Sequence, residues 1–261
     1  MELHSAYLPE MFGTHHSKMI ILLRHDDTAQ VIIHTANMIA RDWSNMTQAV
    51  WRSPTLPLIQ KPNPKLDQDI DPPVGSGSRF KRDLLNYLRA YNDKRPVCKQ
   101  IVESLAQHDF SAVKGSLIAS VPGRHDTKKL SDTQWGWSAM RSALRRVPVS
   151  QDGKSELVAQ VSSIATLGPT DSWLRGVFFD TLLSAKQPSL QRPEFRVMFP
   201  TPDEIRKSLA GYGSGASIHT KIQSPQQAKQ LEYLRPIFCH WANDSENGKS
   251  MRSLHSHGSP V

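Results

Sequence analysis

Cysteine, aromatic side chains, acidic charge and long apolar runs are all scarce in this chain. Only two cysteines, Cys98 and Cys239, occur in 261 residues, far apart. That excludes a disulfide framework and a spaced thiolate quartet for zinc, and it fits a reducing intracellular compartment. No stretch approaches the ~18 consecutive apolar residues of a membrane-spanning helix. The first residues also lack the basic, apolar and small-residue succession of a secretory signal. Membrane spanning and secretion are therefore not expected, and lipid is a poor candidate substrate. Acidic residues are outnumbered, 24 Asp and Glu against 32 Lys and Arg, for a formal net charge of +8. This favours an anionic partner such as nucleic acid, although an ordinary basic protein carries the same balance. His4, His15, His16, His25 and His34 crowd the first strands. With no Glu-x-x-His pattern or cysteine partner they form no recognisable zinc set, and no metal or other cofactor is expected.

What is present begins with Phe12-Gly-Thr-His-His-Ser-Lys-Met-Ile-Ile-Leu-Leu23. Met19 to Leu23 is a continuous apolar run that reads as a buried strand, followed by the polar turn Arg24 to Thr28 and a second apolar run, Val31 to Ile33. In a strand, residues i and i+2 share a face, so His16 and Lys18 can meet one phosphate. An imidazole can attack phosphorus and carry it covalently, while a lysine offsets charge on the non-bridging oxygens, with no metal needed. The second strand ends in His34-Thr-Ala-Asn37, which brings the Asn37 amide near the pair as a further donor; an Asn here can equally cap the helix beginning near Met38.

Further along, Met38 to Trp51 reads as a helix, and Ser53 to Ser78, rich in Pro, Asp, Gly and Ser, as a surface loop. Helical spacing recurs over Arg79 to Tyr91 (Phe80, Leu84, Leu85, Leu88) and Gln100 to Gln107. Leu117 to Val121 is a short strand stopped by Pro122-Gly123. Trp135 to Arg146 reads as a helix, Glu156 to Ser163 as a strand, Asp171 to Ser184 as a helix containing Gly176, and Phe195 to Phe199 as a strand. Thr201-Pro-Asp-Glu204 is a capping box opening a helix to Gly211, and Ser224-Pro225 opens another to Trp241. Helices interleaved with strands imply a layered α/β fold. The expected organisation is a first half over 1–122, with 53–78 as its surface loop, a second half over 123–242, and a disordered tail over 243–261.

Phe12 to Met19, His34-Thr-Ala-Asn-Met-Ile39, Asp42-Trp43 and Met46-Thr-Gln-Ala-Val-Trp51 together resemble the tyrosyl-DNA phosphodiesterase family of the phospholipase D superfamily. The resemblance continues through Pro122-Gly-Arg124, Gln134-Trp-Gly-Trp137, Ser162-Ser-Ile-Ala-Thr-Leu-Gly168 and Phe199-Pro-Thr-Pro-Asp-Glu204. It implies a phospholipase D-like α-β-α fold of two related half-domains, both incomplete here, and a nuclear DNA-repair enzyme that frees 3′ ends from tyrosyl peptides left by topoisomerases or from other blocking groups. By the same resemblance His16 is the nucleophile, Lys18 and Asn37 hold phosphate oxygens, and Gln48 lies behind the reacting His. Phe12 stacks on a base of single-stranded DNA, or is a core residue. Ser162, Ser163 and Thr166 donate to backbone phosphates, unless their loop is only a turn.

The family's mechanism needs a second His-x-Lys strand as acid and base. His219-Thr-Lys221, with Asn243 downstream, is a poor candidate, because Lys221 leads into a helix start rather than an apolar strand. Neither His255 nor His257 is followed two positions later by Lys. The second motif is therefore expected to be missing, with weak or no turnover. A monomer is expected, since pairing two copies of His16 across a dimer sits badly with the shortness of chain before its strand. The competing reading is a non-catalytic module that binds single-stranded DNA.

Overall fold

A hairpin organises the first part of the chain. The computed structural model describes residues 3–9, 11, 15–44, 46, 48–60, 71–91, 98–126, 135–148, 156–164, 166–185, 193–216, 218–220, 224–240 and 252–253. Strands β1 (Met19–Leu23) and β2 (Thr28–His34) pair antiparallel, with Met19 opposite Ile33 and Leu23 opposite Ala29. The turn closes through Arg24 N–H donating to the Thr28 carbonyl at 2.9 Å, with Asp27 in the left-handed region at φ 57°, a conformation Asp tolerates better than most residues. β1 is an edge strand rather than the buried strand expected: Leu22 and Leu23 are exposed, and only Met19 and Ile21 pack on the core. A continuous apolar run does not by itself reveal that one face is open.

The helix expected over Met38 to Trp51 is cut short. Only Ala40–Ser44 is helical (α1), and Val50–Arg52 forms β3 against β2 with Trp51 opposite Ile33; the β-branched and aromatic pair suits a pleated surface. The stretch read as a surface loop also contributes. Leu56–Pro57 (β4) pairs with Thr28 and Ala29, and Leu56 and Ser53 are buried. Residues 61–70 of that loop lie outside the described residues.

Helix α2 (Gly77–Ala90) starts where the Ser76 side chain accepts from Arg79 N–H, and buries Phe80, Leu84, Leu85 and Leu88 as their spacing implies. Its first residue must be glycine: a Cβ there would lie 1.8 Å from the Phe110 carbonyl oxygen. α2 packs with α3 (Lys99–Ala106) and the sheet around Val31, Leu56, Leu84, Leu105 and Val113. Leu117 to Val121 is not a strand; its tie is Gly136 N–H to the Ala119 carbonyl at 2.8 Å, just ahead of α4 (Gly136–Leu144).

The chain divides into two compact units, residues 1–146 and 147–261, so α4 groups with the first. In the second, β5 (Glu156–Gln160), β7 (Glu194–Met198) and β9 (Phe238–His240) are parallel neighbours, and β10 (Arg252–Ser253) joins β9 antiparallel. Those two residues of the expected disordered tail are thus strand, while most of 243–261 lies outside the described residues. β6 (Ser163–Ile164) leaves this sheet to pair with β8 (His219–Thr220). The helix around Gly176 widens into a π-helical stretch, Leu174–Phe179, before α5 (Asp180–Leu182). Both capping boxes form, at α6 (Pro202–Lys207) and α7 (Pro225–Leu234). α7 ends earlier than expected, because Pro236 lacks the N–H that would continue it and the chain turns through Arg235–Ile237 into β9. Ile164, Leu174, Phe179, Val197, Leu234 and Phe238 make the core of this unit.

Candidate active site around His16

The residues leading into β1 continue its alternation. His34 N–H donates to the Lys18 carbonyl at 3.2 Å, extending the ladder back past Met19. His15 points toward α2, where its Nε2 sits 3.1 Å from the Tyr87 hydroxyl and 2.9 Å from the Tyr91 hydroxyl, and those hydroxyls are 2.9 Å apart. Burial, reinforced by His16 next door, holds the His15 ring below the ordinary histidine range. Burial, together with the bond from Tyr87, likewise pushes the Tyr91 hydroxyl far above the usual phenol range, so both groups stay neutral. His15 thereby pins the strand from behind, leaving His16 exposed on the other side.

There Lys18 Nζ lies 2.6 Å from His16 Nδ1, so the expectation of a shared face holds in the geometry. An ammonium has only donors, so Nδ1 must accept, and the neutral ring then carries its proton on Nε2. Burial lowers the Lys18 ammonium from its usual range, and the Asp42 carboxylate opposes that shift.

Asp42, on α1, is buried and accepts twice from Asn37: from the backbone N–H at 2.7 Å and from Nδ2 at 2.8 Å. Asn37 thus sits ahead of the helix as a donor to it. Trp43 Nε1 donates to the Asn37 carbonyl at 2.8 Å, and the indole lies 5.5 Å from the His34 ring. Chiefly the Asn37 backbone N–H, then its side-chain amide, Lys18 and Arg41, hold the Asp42 carboxyl below the usual carboxylate range against the opposing effect of burial. Gln48 bonds to Thr35, whose hydroxyl donates to Oε1 at 2.6 Å, and to the Asp42 carbonyl through Nε2 at 3.2 Å. Its described contacts therefore reach the Asn37 clamp rather than His16. Phe12 lies outside the described residues. The sequence carries a local signal for this clamp in the five-residue step from Asn37 to Asp42.

In the second unit Ser162, Ser163 and Thr166 are exposed, at the end of β5 and around β6. α7 holds this loop with one face: Gln227 Nε2 donates to Thr166 Oγ1 at 2.9 Å, Gln230 Oε1 accepts from Leu167 N–H at 3.0 Å, and the Tyr233 hydroxyl donates to the Gly168 carbonyl at 3.1 Å. Positions 227, 230 and 233 fall at helical spacing, so the stripe is visible in the sequence, but nothing local says what it touches. His219 belongs to the short β8, and α7 begins soon after it, as its sequence context implied; Lys221, Asn243, His255 and His257 lie outside the described residues.

The exposed His16 imidazole is hydrogen-bonded to Lys18, and Asn37 is held by Asp42 and Trp43. The family model described as tyrosyl-DNA phosphodiesterase matches residues 1–257. This chain belongs to the tyrosyl-DNA phosphodiesterase family. It is 31% identical over 261 residues to tyrosyl-DNA phosphodiesterase 1 of Arabidopsis thaliana, covering 95% of this chain and 40% of that one. It is 27% identical over 297 residues to a protein of Schizosaccharomyces pombe described as a probable tyrosyl-DNA phosphodiesterase, covering 92% of this chain and 52% of the relative. The crystal structure of the yeast tyrosyl-DNA phosphodiesterase superposes with a TM-score of 0.66 at 20% identity, over 90% of this chain and 55% of that one. The mixed α/β fold is therefore that of this phospholipase D-like family, and the chain spans about half the length of the relatives it matches. Among the described residues no helix is long and apolar enough to cross a membrane, and no group of three His, Cys, Asp or Glu is placed to hold a metal ion.

Proposed function

We propose that this chain is a phosphoryl-transfer module for blocked DNA 3′ ends, acting in the nucleus, with His16 as nucleophile and tyrosyl peptides among the groups removed. The carrying observation is the 2.6 Å contact between Lys18 Nζ and His16 Nδ1 on the exposed face. In that resting state Nε2 holds the ring proton and cannot attack. A 3′-phosphate oxygen that draws the Lys18 ammonium to itself frees Nδ1 to take the ring proton, and the Nε2 lone pair then faces phosphorus. Attack forms the Nε2–P bond; the P–O bond to the blocking group breaks, its electron pair goes to the departing oxygen, and that oxygen takes a proton from water. Lys18 and the Asn37 amide hold the non-bridging oxygens, with charge-assisted bonds stronger than neutral ones. No metal is asked for.

The other His-x-Lys of this sequence, His219-Thr-Lys221, is followed closely by α7 rather than by an apolar strand, and we read it as no second acid. General acid help is worth about 10²–10⁴-fold, so good leaving groups should transfer once and tyrosyl or alkyl groups slowly. The test is a single-turnover reaction of the 261-residue chain with a single-stranded oligonucleotide bearing a 3′-p-nitrophenyl phosphate. One equivalent of nitrophenol is expected, together with a phosphoramidate adduct on His16 by mass spectrometry, both lost in His16→Ala and both insensitive to EDTA. An adduct that survives His16→Ala refutes the assignment. Salt-sensitive binding with no adduct at all favours the second reading, a single-stranded DNA-binding module, which the net charge of +8 supports.

A further inference from the structure

We infer that Asp42 is a positioning residue for the phosphate, fixing which atoms of Asn37 face the anion; this rests on the function proposed above. A buried carboxylate beside an anion-binding site should repel the ligand, yet Asp42 is 5% exposed and coupled to Lys18. Its contacts offer a reason. Asp42 Oδ2 takes both the backbone N–H and the side-chain Nδ2 of Asn37, at 2.7 and 2.8 Å, closing a ring that restrains the Asn side chain.

An Asn amide left to itself can flip, and half of its orientations would aim the carbonyl oxygen at the phosphate. With a carboxylate behind it, the flipped form would set Oδ1 against Oδ2, two acceptors with no proton between them. The carboxylate thus selects the orientation in which Nδ2 is inward, leaving that nitrogen's second hydrogen as a donor. Trp43 fixes the other side of the same residue through the Asn37 carbonyl, and Gln48 ties the Asp42 carbonyl to the strand through Thr35. The same negative charge favours the protonated form of Lys18, which burial works against.

Two explanations of Asp42 now predict opposite signs. If it were only a local charge, removing it would strengthen binding of a phosphate; if it positions Asn37, removing the carboxylate and its acceptor weakens binding. The measurement is the affinity of the whole chain for one single-stranded oligonucleotide ending in a 3′-phosphate and for the same strand ending in a 3′-hydroxyl, by fluorescence polarisation at fixed salt. The ratio isolates the phosphate from general DNA contacts and from foldedness. Wild type should prefer the 3′-phosphate. Asp42→Leu, which removes the acceptor together with the charge, should reduce that preference about tenfold, the worth of one charge-assisted bond, with 3′-hydroxyl affinity unchanged, and Asn37→Ala should do the same. The double variant should be no worse than Asn37→Ala alone. Asp42→Glu keeps the charge but moves the acceptor, so it should lose preference as well, and it stands in if Asp42→Leu does not fold. A preference kept or sharpened in Asp42→Leu, or effects that multiply in the double variant, overturns the inference alone. No preference in wild type overturns it together with the proposed phosphate site.

Discussion

Replacing Gln227 with Glu tests how α7 prepares the hydroxyl loop. The Gln227 amide has two neighbours that fix its direction. Ser224 N–H needs an acceptor and finds Oε1 at 3.1 Å, so Nε2 must be the atom 2.9 Å from Thr166 Oγ1. Thr166 therefore accepts from Gln227, and its own O–H is left to donate outward, where the proposed function has it meet a DNA phosphate. In Gln227→Glu the capping box survives, since Glu is the preferred residue at that position and an acid in the first turn suits the helix dipole. The new carboxylate has no proton to give, so the Thr166 hydroxyl must turn inward and donate to it. Stability should change by no more than about 1 kcal/mol, the dipole gain offsetting the desolvation of a hydrogen-bonded carboxylate. Binding should lose one charge-assisted hydrogen bond, about 1.5–3 kcal/mol, and the lower figure applies in an exposed loop, giving about tenfold in Kd. The assay pairs urea unfolding of the second unit with polarisation binding of a single-stranded oligonucleotide. Thr166→Val, which removes the hydroxyl, should weaken binding to the same extent. If Gln227→Glu weakens binding equally when residue 166 is already valine, added charge alone explains the loss and the hydroxyl argument is refuted.

Lys18→Met should abolish the 3′-phosphate preference and lower the slope of log K against log salt for single-stranded DNA by about 0.7, the share of one phosphate contact; an unchanged slope would mean that Lys18 stays on His16 in the complex. His15 supplies a pH test whose sign follows from its lowered proton affinity. The unfolded chain takes up its proton first as pH falls below about 6.5, so this stabilisation is complete above that value and drains away as pH drops toward the lower folded one. His15→Gln should therefore flatten the decline in urea stability of the first unit between neutral pH and pH 5, and an unaltered pH dependence would show that burial does not hold the ring neutral.

The His16–Lys18 contact was legible because its geometry is local. His16 and Lys18 need only the two-residue period of a strand, and the capping boxes at Thr201 and Ser224 need only a three-residue step. What the sequence did not reveal depends on contacts between distant segments. β4 exists because Leu56 meets Ala29 across the sheet, in a stretch whose composition otherwise reads as loop. The helix expected over Met38 to Trp51 fails because Val50 and Trp51 are worth more as a third strand beside β2 than as two further helical turns. Gln227 and Thr166 are 61 residues apart, and nothing in either neighbourhood says that they touch. Asp42 falls between these cases. Its step from Asn37 is short enough to read, but a carboxylate near the proposed phosphate site looks out of place until its two bonds from Asn37, one from the backbone and one from the side chain, are known.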